Sequence, residues 1–419
     1  MQIRRVHSVN SATSAIPLPL IRGIRLRYLL VLSALTYSAP VLAQGFDFPS
    51  NSLPSNSIPA SPNPFRSDLS PVLSSDKVSV RGLSVDVIQL DSLPPQVESP
   101  VVTAVSVSPD GEFIAAAGDD HAIRIVELKS GKTTATLTGH LDWVQSVEFS
   151  PSGLQLASCG NDGTLRVWSL GTTPKLISTK SAPHALMTLS HVNEDCLFVA
   201  GFSNYIYRHD AEKSDLKVVH SCDCRDIRSI VASPDRNWIA FGGRDGVLRL
   251  SRIDSLGQAQ GAANHSDSND EFSVPLHSER IRSLEFSKDG DQIVSVGEDR
   301  RIIHYDLVNR RILLQTKIEG GKLLGLCQLE PHLFAIASSD NTIRIFNDKD
   351  EQVQAKLVGH DGSVGILKRT KEFLISGSFD TTIRIWDIGR AVSTTDGQGK
   401  YVHPVGAQFE DSGAGEVVK

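Results

Sequence analysis

The chain is short of several things that would have pointed elsewhere. Only 6% of its 419 residues are aromatic, so a core has to be built mainly from Val, Ile, Leu and Ala. Basic residues are not in excess: 42 Lys and Arg stand against 48 Asp and Glu, a formal net charge of −6. Nonspecific nucleic-acid binding needs a basic footprint, so nucleic acid is not an expected partner. Cysteines number five, namely Cys159, Cys196, Cys222, Cys224 and Cys327, and an odd count leaves at least one thiol free in an oxidising compartment. Cys159 and Cys196 fall in inner-strand patterns and read as small buried hydrophobes. His220, Cys222 and Cys224 form the only metal-like cluster. A zinc site usually wants a Cys-x₂₋₄-Cys pair and four ligands, so no metal and no other cofactor is expected. Gly131-Lys132-Thr133 lacks the upstream glycine of a phosphate loop and reads as a turn.

Long apolar runs are missing too, with one exception. Tyr28 to Leu42 is apolar except for Ser33, Thr36, Ser38 and Pro40, and is shorter than the ~20 residues of a comfortable membrane span. Before it lie Arg4, Arg5, Arg22, Arg25 and Arg27 and no acid, and after it Val41-Leu42-Ala43 fits a small-residue cleavage rule. Residues 1–43 therefore read as a secretory signal, with Gln44 as the new N-terminus and an uncleaved membrane anchor as the alternative. No Cys follows the apolar stretch, which argues against a lipid anchor. The signal carries five Arg and no acid, so its removal leaves 37 basic against 48 acidic residues, a net −11. The expected location is periplasmic or extracellular, with membrane contact only if the segment stays uncleaved.

Residues 44–77 hold nine Ser and six Pro with no periodicity. Such a segment cannot bury enough apolar surface to offset its ordering entropy, and reads as a disordered spacer. Residues 391–419 read as a flexible tail. Between them, over 78–390, one pattern recurs seven times: an apolar strand ending in small residues, a turn centred on Asp, then a strand such as Ile-Arg-Ile-Trp. The turn positions are Asp120, Asp162, Ser203, Asp245, Asp299, Asp340 and Asp380, spaced by 42, 41, 42, 54, 41 and 40 residues. The long interval contains a polar insertion, Asp254 to Phe272, expected as a flexible rim loop. A period of 40–45 residues with Gly-His and Trp-Asp marks means a propeller of four-stranded blades. The fold class expected is all-β, a seven-bladed propeller of antiparallel blades. Unit seven lacks an outer strand, and Ser84 to Leu90, which alternates like a strand, can supply it and close the ring.

These residues resemble the WD-repeat family of β-propellers over about residues 80–390. Unit two has Gly139-His140, Ser158, Asp162 and Trp168; unit seven has Gly359-His360, Ser376, Asp380 and Trp386-Asp387; unit five keeps His277, Ser295 and Asp299, with Tyr305 at the Trp position. A Ser, His and Asp set suggests a hydrolase. The resemblance implies instead a structural hydrogen-bonded chain tying turn, inter-blade loop and strands together, and a catalytic set would not be repeated, so no catalytic residue is assigned. Arg124, Arg166, Arg249, Arg344 and Arg384 recur on third strands and read as structural.

The resemblance further implies a non-enzymatic scaffold that docks a protein or peptide on the face carrying the inter-blade loops and Asp turns. Three positions per blade point there: two near the start of the innermost strand and the residue before the turn Asp. By register they include Trp143, Gln145 and Asn161 in blade two, Phe202 in blade three, and Asp226, Arg228 and Arg244 in blade four. Blade five gives Arg280, Arg282 and Glu298, blade six Lys322 and blade seven Phe379. Arg and Trp are enriched at binding hot spots, and an Arg cluster suits an acidic partner. The competing reading is a solvated network in which these Arg pair with Asp226, Glu279 and Glu298. An exported enzyme or small-ligand binder using the central channel is the alternative, and apolar inner strands weigh against it. A monomer is expected.

Overall fold

A computed structural model describes residues 72–73, 80–81, 84–93, 98–256 and 271–388. The expected signal segment, most of the spacer, most of the insertion and the C-terminal tail lie outside the described residues.

The described chain is seven antiparallel sheets built in sequence order. Blade one is Val102–Val107, Phe113–Gly118, Ile123–Glu127 and Thr133–Leu137. Blades two to six repeat that order from inner strands Val144–Phe149, Leu186–His191, Ile227–Ala232, Ile281–Phe286 and Leu323–Glu330. Blade seven has Val364–Arg369, Phe373–Ser378 and Thr382–Asp387 from the C-terminal end, and takes Ser84–Gln89 as its antiparallel outer strand, with Val87 opposite Arg384. Adjacent inner strands touch all the way round, blade seven against blade one included, so the ring is closed.

The core is divided. Seven buried clusters occupy the seven seams between neighbouring blades. Ala117, Ile123 and Leu137 of blade one meet Val144, Leu156 and Trp168 of blade two, and Ile375, Ile383 and Ile385 of blade seven meet Val102, Ile114 and Val126 of blade one. This explains the second strand of each blade. Segments such as Phe113–Gly118 (FIAAAG), Cys196–Gly201 (CLFVAG) and Leu333–Ser338 (LFAIAS) are buried on both faces and read as continuous apolar runs. Outer strands such as Lys175–Ser181 are mostly exposed and alternate with polar residues.

Two details depart from the sequence reading. Val72–Leu73, inside the stretch taken as spacer, pairs in parallel with Lys317 and Ile318 at the outer edge of blade five, and Val80–Arg81 does the same at blade six. Phe272, taken as the end of the insertion, lies within Glu271–Pro275, the outer strand of blade four, opposite Leu250.

Candidate functional site on the loop and turn face

Two backbone features recur in all seven blades and build one face. In each blade the residue before the turn position donates its N–H to the carbonyl of the residue just before the inner strand. Asn161 donates to Trp143 at 2.9 Å, Phe202 to Ala185 at 3.0 Å, Arg244 to Asp226 at 3.0 Å, Glu298 to Arg280 at 2.9 Å and Phe379 to Ser363 at 3.0 Å. Two of the three candidate positions of every blade are thereby locked side by side. The glycines that end most second strands make this possible. A Cβ on Gly243 would lie 1.7 Å from the Asp226 carbonyl oxygen, so blade four needs glycine there, while blades six and seven make the same bond beside Ser338 and Ser378.

The second feature is a register shift one residue into every inner strand. It falls at Gln145 in blade two, Arg228 in blade four and Arg282 in blade five, and equally at Thr103, Met187, Leu324 and Gly365. A bulge leaves its extra residue out of the ladder and re-aims the side chain. The third candidate position of each blade is this bulge residue.

On that face the side chains divide into two groups. Trp143 and Gln145 are half-buried, Gln145 Nε2 donating to Asn161 Oδ1 at 3.1 Å. Phe202 and Phe379 are 44% and 37% exposed, large for aromatic rings. Beside Phe202 lies the basic sector. Arg228 Nε sits 2.7 Å from Asp226 Oδ1, and its guanidinium lies 4.4 Å from the Phe202 ring centre. Arg280 spans both acids, 3.0 Å from Asp226 Oδ2 and 2.8 Å from Glu298 Oε1. Lys322 Nζ reaches Glu298 Oε2 at 2.6 Å. Glu298 is buried beneath this cover. Burial works against its charge, but the bonds from Lys322 and Arg280 outweigh it and hold the carboxyl below its usual range. Asp226 and Glu298 thus anchor the cations from below, and Arg244 stands exposed beside them.

The turn positions show how the face is held rigid. In blade two His140 Nδ1 is 2.9 Å from Asp162, its Nε2 is 2.8 Å from Ser158 Oγ, and Trp168 Nε1 donates to the same oxygen at 2.9 Å. Blade seven repeats this with His360, Asp380, Ser376 and Trp386 at 2.7, 2.7 and 2.8 Å. In blade five His277 bridges Asp299 and Ser295, and Tyr305 offers no indole donor. One proton assignment satisfies every group: Trp to Ser, Ser to His, His to Asp. Burial opposes the charge on Asp162, but His140 and the N–H groups of Leu141 and Thr164 hold its carboxyl far below the ordinary range.

Blades one, four and six lack this His and Ser, and the missing partner is an arginine. Arg124, Arg249 and Arg344 each grip the turn Asp four residues back in a two-pronged ion pair. The shorter contacts are 2.6 Å to Asp120, 2.6 Å to Asp245 and 2.5 Å to Asp340. Their recurrence was visible in the sequence; the pairing was signalled by Ala116, Phe241 and Ile336 standing where blades two, five and seven have Ser. Either His plus Ser or Arg alone satisfies the turn.

The inner strands also carry acids, Glu148 of blade two and Glu285 of blade five, with Lys368 of blade seven in electrostatic reach of both. Each carboxylate accepts the backbone N–H of the next blade: Glu148 from His191 at 3.3 Å, Glu285 from Gln328 at 2.9 Å. Burial pushes Glu148 up to about 7, against the pull of Lys368 and the His191 N–H. At the seam of blades three and four, Cys222 and Cys224 are joined in a disulfide, and Cys159, Cys196 and Cys327 are buried free thiols. Among the described residues no group of three His, Cys, Asp or Glu is placed to hold a metal.

Closed ring, repeated turn and paired backbone define a seven-bladed propeller with a rigid loop face. Five of its segments, 89–127, 131–169, 215–250, 270–306 and 351–387, match the family model described as WD domain, G-beta repeat. These five segments are repeats of the WD-repeat family. The chain is similar to apoptotic protease-activating factor 1 of Danio rerio, 25% identical over 264 residues, which cover 61% of this chain and 19% of that protein. It is also similar to the nuclear distribution protein PAC1 of Arthroderma otae, 26% identical over 197 residues covering 47% and 36%. A third relative is the ribosome biogenesis protein YTM1 of Eremothecium gossypii, 27% identical over 310 residues covering 68% and 64%. The chain thus spans from a fifth to just under two thirds of these curated relatives.

Proposed function

We propose that this protein is a non-enzymatic interaction scaffold that docks a protein or peptide on its loop and turn face, outside the cytoplasm. The observation that carries this reading is the face itself: three positions per blade, fixed by a repeated backbone bond and a repeated bulge, presenting exposed aromatic groups and a basic sector that Phe202 adjoins. Aromatic residues and arginines supply most of the energy at protein interfaces. The acids among the arginines are largely used from below, so the surplus charge faces outward and favours an acidic partner. Location outside the cytoplasm rests on the signal-like residues 1–43.

The test is recovery of a partner by the chain starting at Gln44, tagged and crosslinked in its native envelope, beside a Trp143→Ala, Arg244→Glu variant. Those two side chains carry no ion pair of the fold, so the variant should melt like the parent. A partner recovered with the parent and lost with the variant supports docking on this face. Equal recovery refutes it.

The channel favours a second reading, a small-ligand binder, because Glu148, Glu285 and Lys368 converge on it from three blades. Both carboxylates already serve as acceptors between neighbouring strands, which places their first use in holding the ring together.

A further inference from the structure

The basic sector holds three guanidinium groups and one ammonium over two carboxylates. Each carboxylate oxygen has a dedicated cation. Asp226 Oδ1 is taken by Arg228 at 2.7 Å and Oδ2 by Arg280 at 3.0 Å. Glu298 Oε1 is taken by Arg280 at 2.8 Å and Oε2 by Lys322 at 2.6 Å. Arg282 is left over. Its nearest acid is Glu298, at 3.6 Å, beyond hydrogen-bond range and already occupied.

Three further facts bear on Arg282. It is the bulge residue of the blade-five inner strand, so the ladder does not use it. Its side chain is 27% exposed, open to solvent on one side only. Burial first, and then the neighbouring guanidinium of Arg228, push it down to about 10, which still leaves it charged at neutral pH. A desolvated cation beside other cations is an unstable arrangement until an anion joins it. At the rim, Lys322 also lies 3.8 Å from Glu279, so with the exposed Arg244 five cations face three carboxylates and the sector keeps a positive excess.

We propose that Arg282 is the seat for one carboxylate of the docked partner, an Asp, Glu or chain-end group held by its two guanidinium prongs. This rests on the docking reading above and sharpens it. Arg228, Arg280 and Lys322 form the frame, with Asp226 and Glu298 fixing their positions, and Phe202 holds Arg228 to one side. The one guanidinium without a hydrogen-bonded carboxylate seats one monoanion through its two prongs. The planar fork of arginine matches a carboxylate in two parallel hydrogen bonds, which an ammonium cannot do.

The experiment uses the full chain labelled with ¹⁵N and follows arginine Nε–H signals while sodium acetate is added, ionic strength being held constant with sodium chloride. The signal that vanishes in Arg282→Gln identifies the residue. The proposal expects that signal to shift saturably with acetate and not with chloride. Acetate affinity should fall at least tenfold in Arg282→Gln and be partly kept in Arg282→Lys, both variants melting like the parent. No response to acetate beyond that to chloride overturns the proposal. Tighter binding of inorganic phosphate than of acetate at pH 8 overturns the monoanion assignment in favour of a phosphoryl ligand. If acetate fails while partner recovery still depends on Trp143 and Arg244, only this seat is lost. If acetate binds while recovery ignores those residues, protein docking is lost and the seat serves a free carboxylate.

Discussion

Replacing Glu148 by Gln should stabilise the protein, and only at the alkaline end of its range. Burial in the channel raises this carboxyl from 4.5 to about 7. In the unfolded chain it keeps its ordinary value, so the folded state binds the extra proton. Stability is then fully present below the ordinary value and is lost as pH rises through 7. At 1.36 kcal/mol for each tenfold step in proton affinity, the ionised side chain costs the folded protein about 3 kcal/mol at pH 8. Glutamine removes the charge and keeps an oxygen for the His191 N–H, which Glu148 now accepts at 3.3 Å. For roughly 300 ordered residues the unfolding entropy is about 0.6 kcal/mol per kelvin, so the expected gain in Tm is about 5 °C at pH 8. Below the ordinary value of 4.5, where folded and unfolded chains both carry the proton, the gain should shrink to almost nothing, with about a quarter of it left at pH 5. Melting of parent and variant at pH 4, 5, 6, 7 and 8 checks this. A pH-independent difference, or a variant less stable than the parent at pH 8, would refute the claim that Glu148 is held ionised against its surroundings. A Glu148→Leu control, which leaves the His191 N–H without its acceptor, should lose stability at both ends.

Other consequences follow from the turns. Asp162→Ala removes the end of the Trp168–Ser158–His140 chain and should lower stability by about 2–4 kcal/mol, read by urea unfolding. Because folding depresses this carboxyl, its contribution is present above the ordinary value of 3.8 and lost as pH falls toward the folded value; the deficit of the variant should narrow in acid, and a constant deficit would exclude a charge effect. Arg124→Met strands Asp120, whose side chain is 1% exposed like that of Arg124 itself, and should cost about 3–5 kcal/mol. A loss as small as that of an exposed surface pair would show that the Arg-held turn contributes little.

Much of the architecture could be read before any coordinates, because a repeat states its own period. The turn aspartates fixed blade number, the alternating Ser84–Leu90 stretch identified the closing strand, and the register put Arg228, Arg280, Arg282 and Glu298 in one sector. Pairing within that sector was harder to see. Asp226 and Arg280 begin different blades, and only the closed ring sets them 3.0 Å apart. The channel acids escaped for a related reason. Glu148 and Glu285 each share a strand with two other polar residues, Gln145 and Ser146 or Arg282 and Ser283, and what makes them a group with Lys368 is the axis around which seven blades turn. The Arg-held turn was hidden because the arginine recurs in both kinds of blade, Arg166 and Arg384 included, and only the loss of Ser158-type positions marks where an arginine such as Arg344 holds the Asp without His.

The pairing of Ser84–Gln89 with Thr382–Asp387 also sets an order of events during synthesis. These strands lie about 300 residues apart. Bringing such distant ends together costs about 5 kcal/mol of chain entropy, against about 1–2 kcal/mol for a five-residue hairpin loop. Six blades can form as soon as their own strands have emerged, while the seventh waits for the last of them. Through that interval Ser84–Gln89 is an unsatisfied edge, and the seams on both sides of blade seven are open. The ring therefore behaves like a clasp fastened last and unfastened first, so that early hydrogen exchange and the first proteolytic cuts under mild stress belong at this junction.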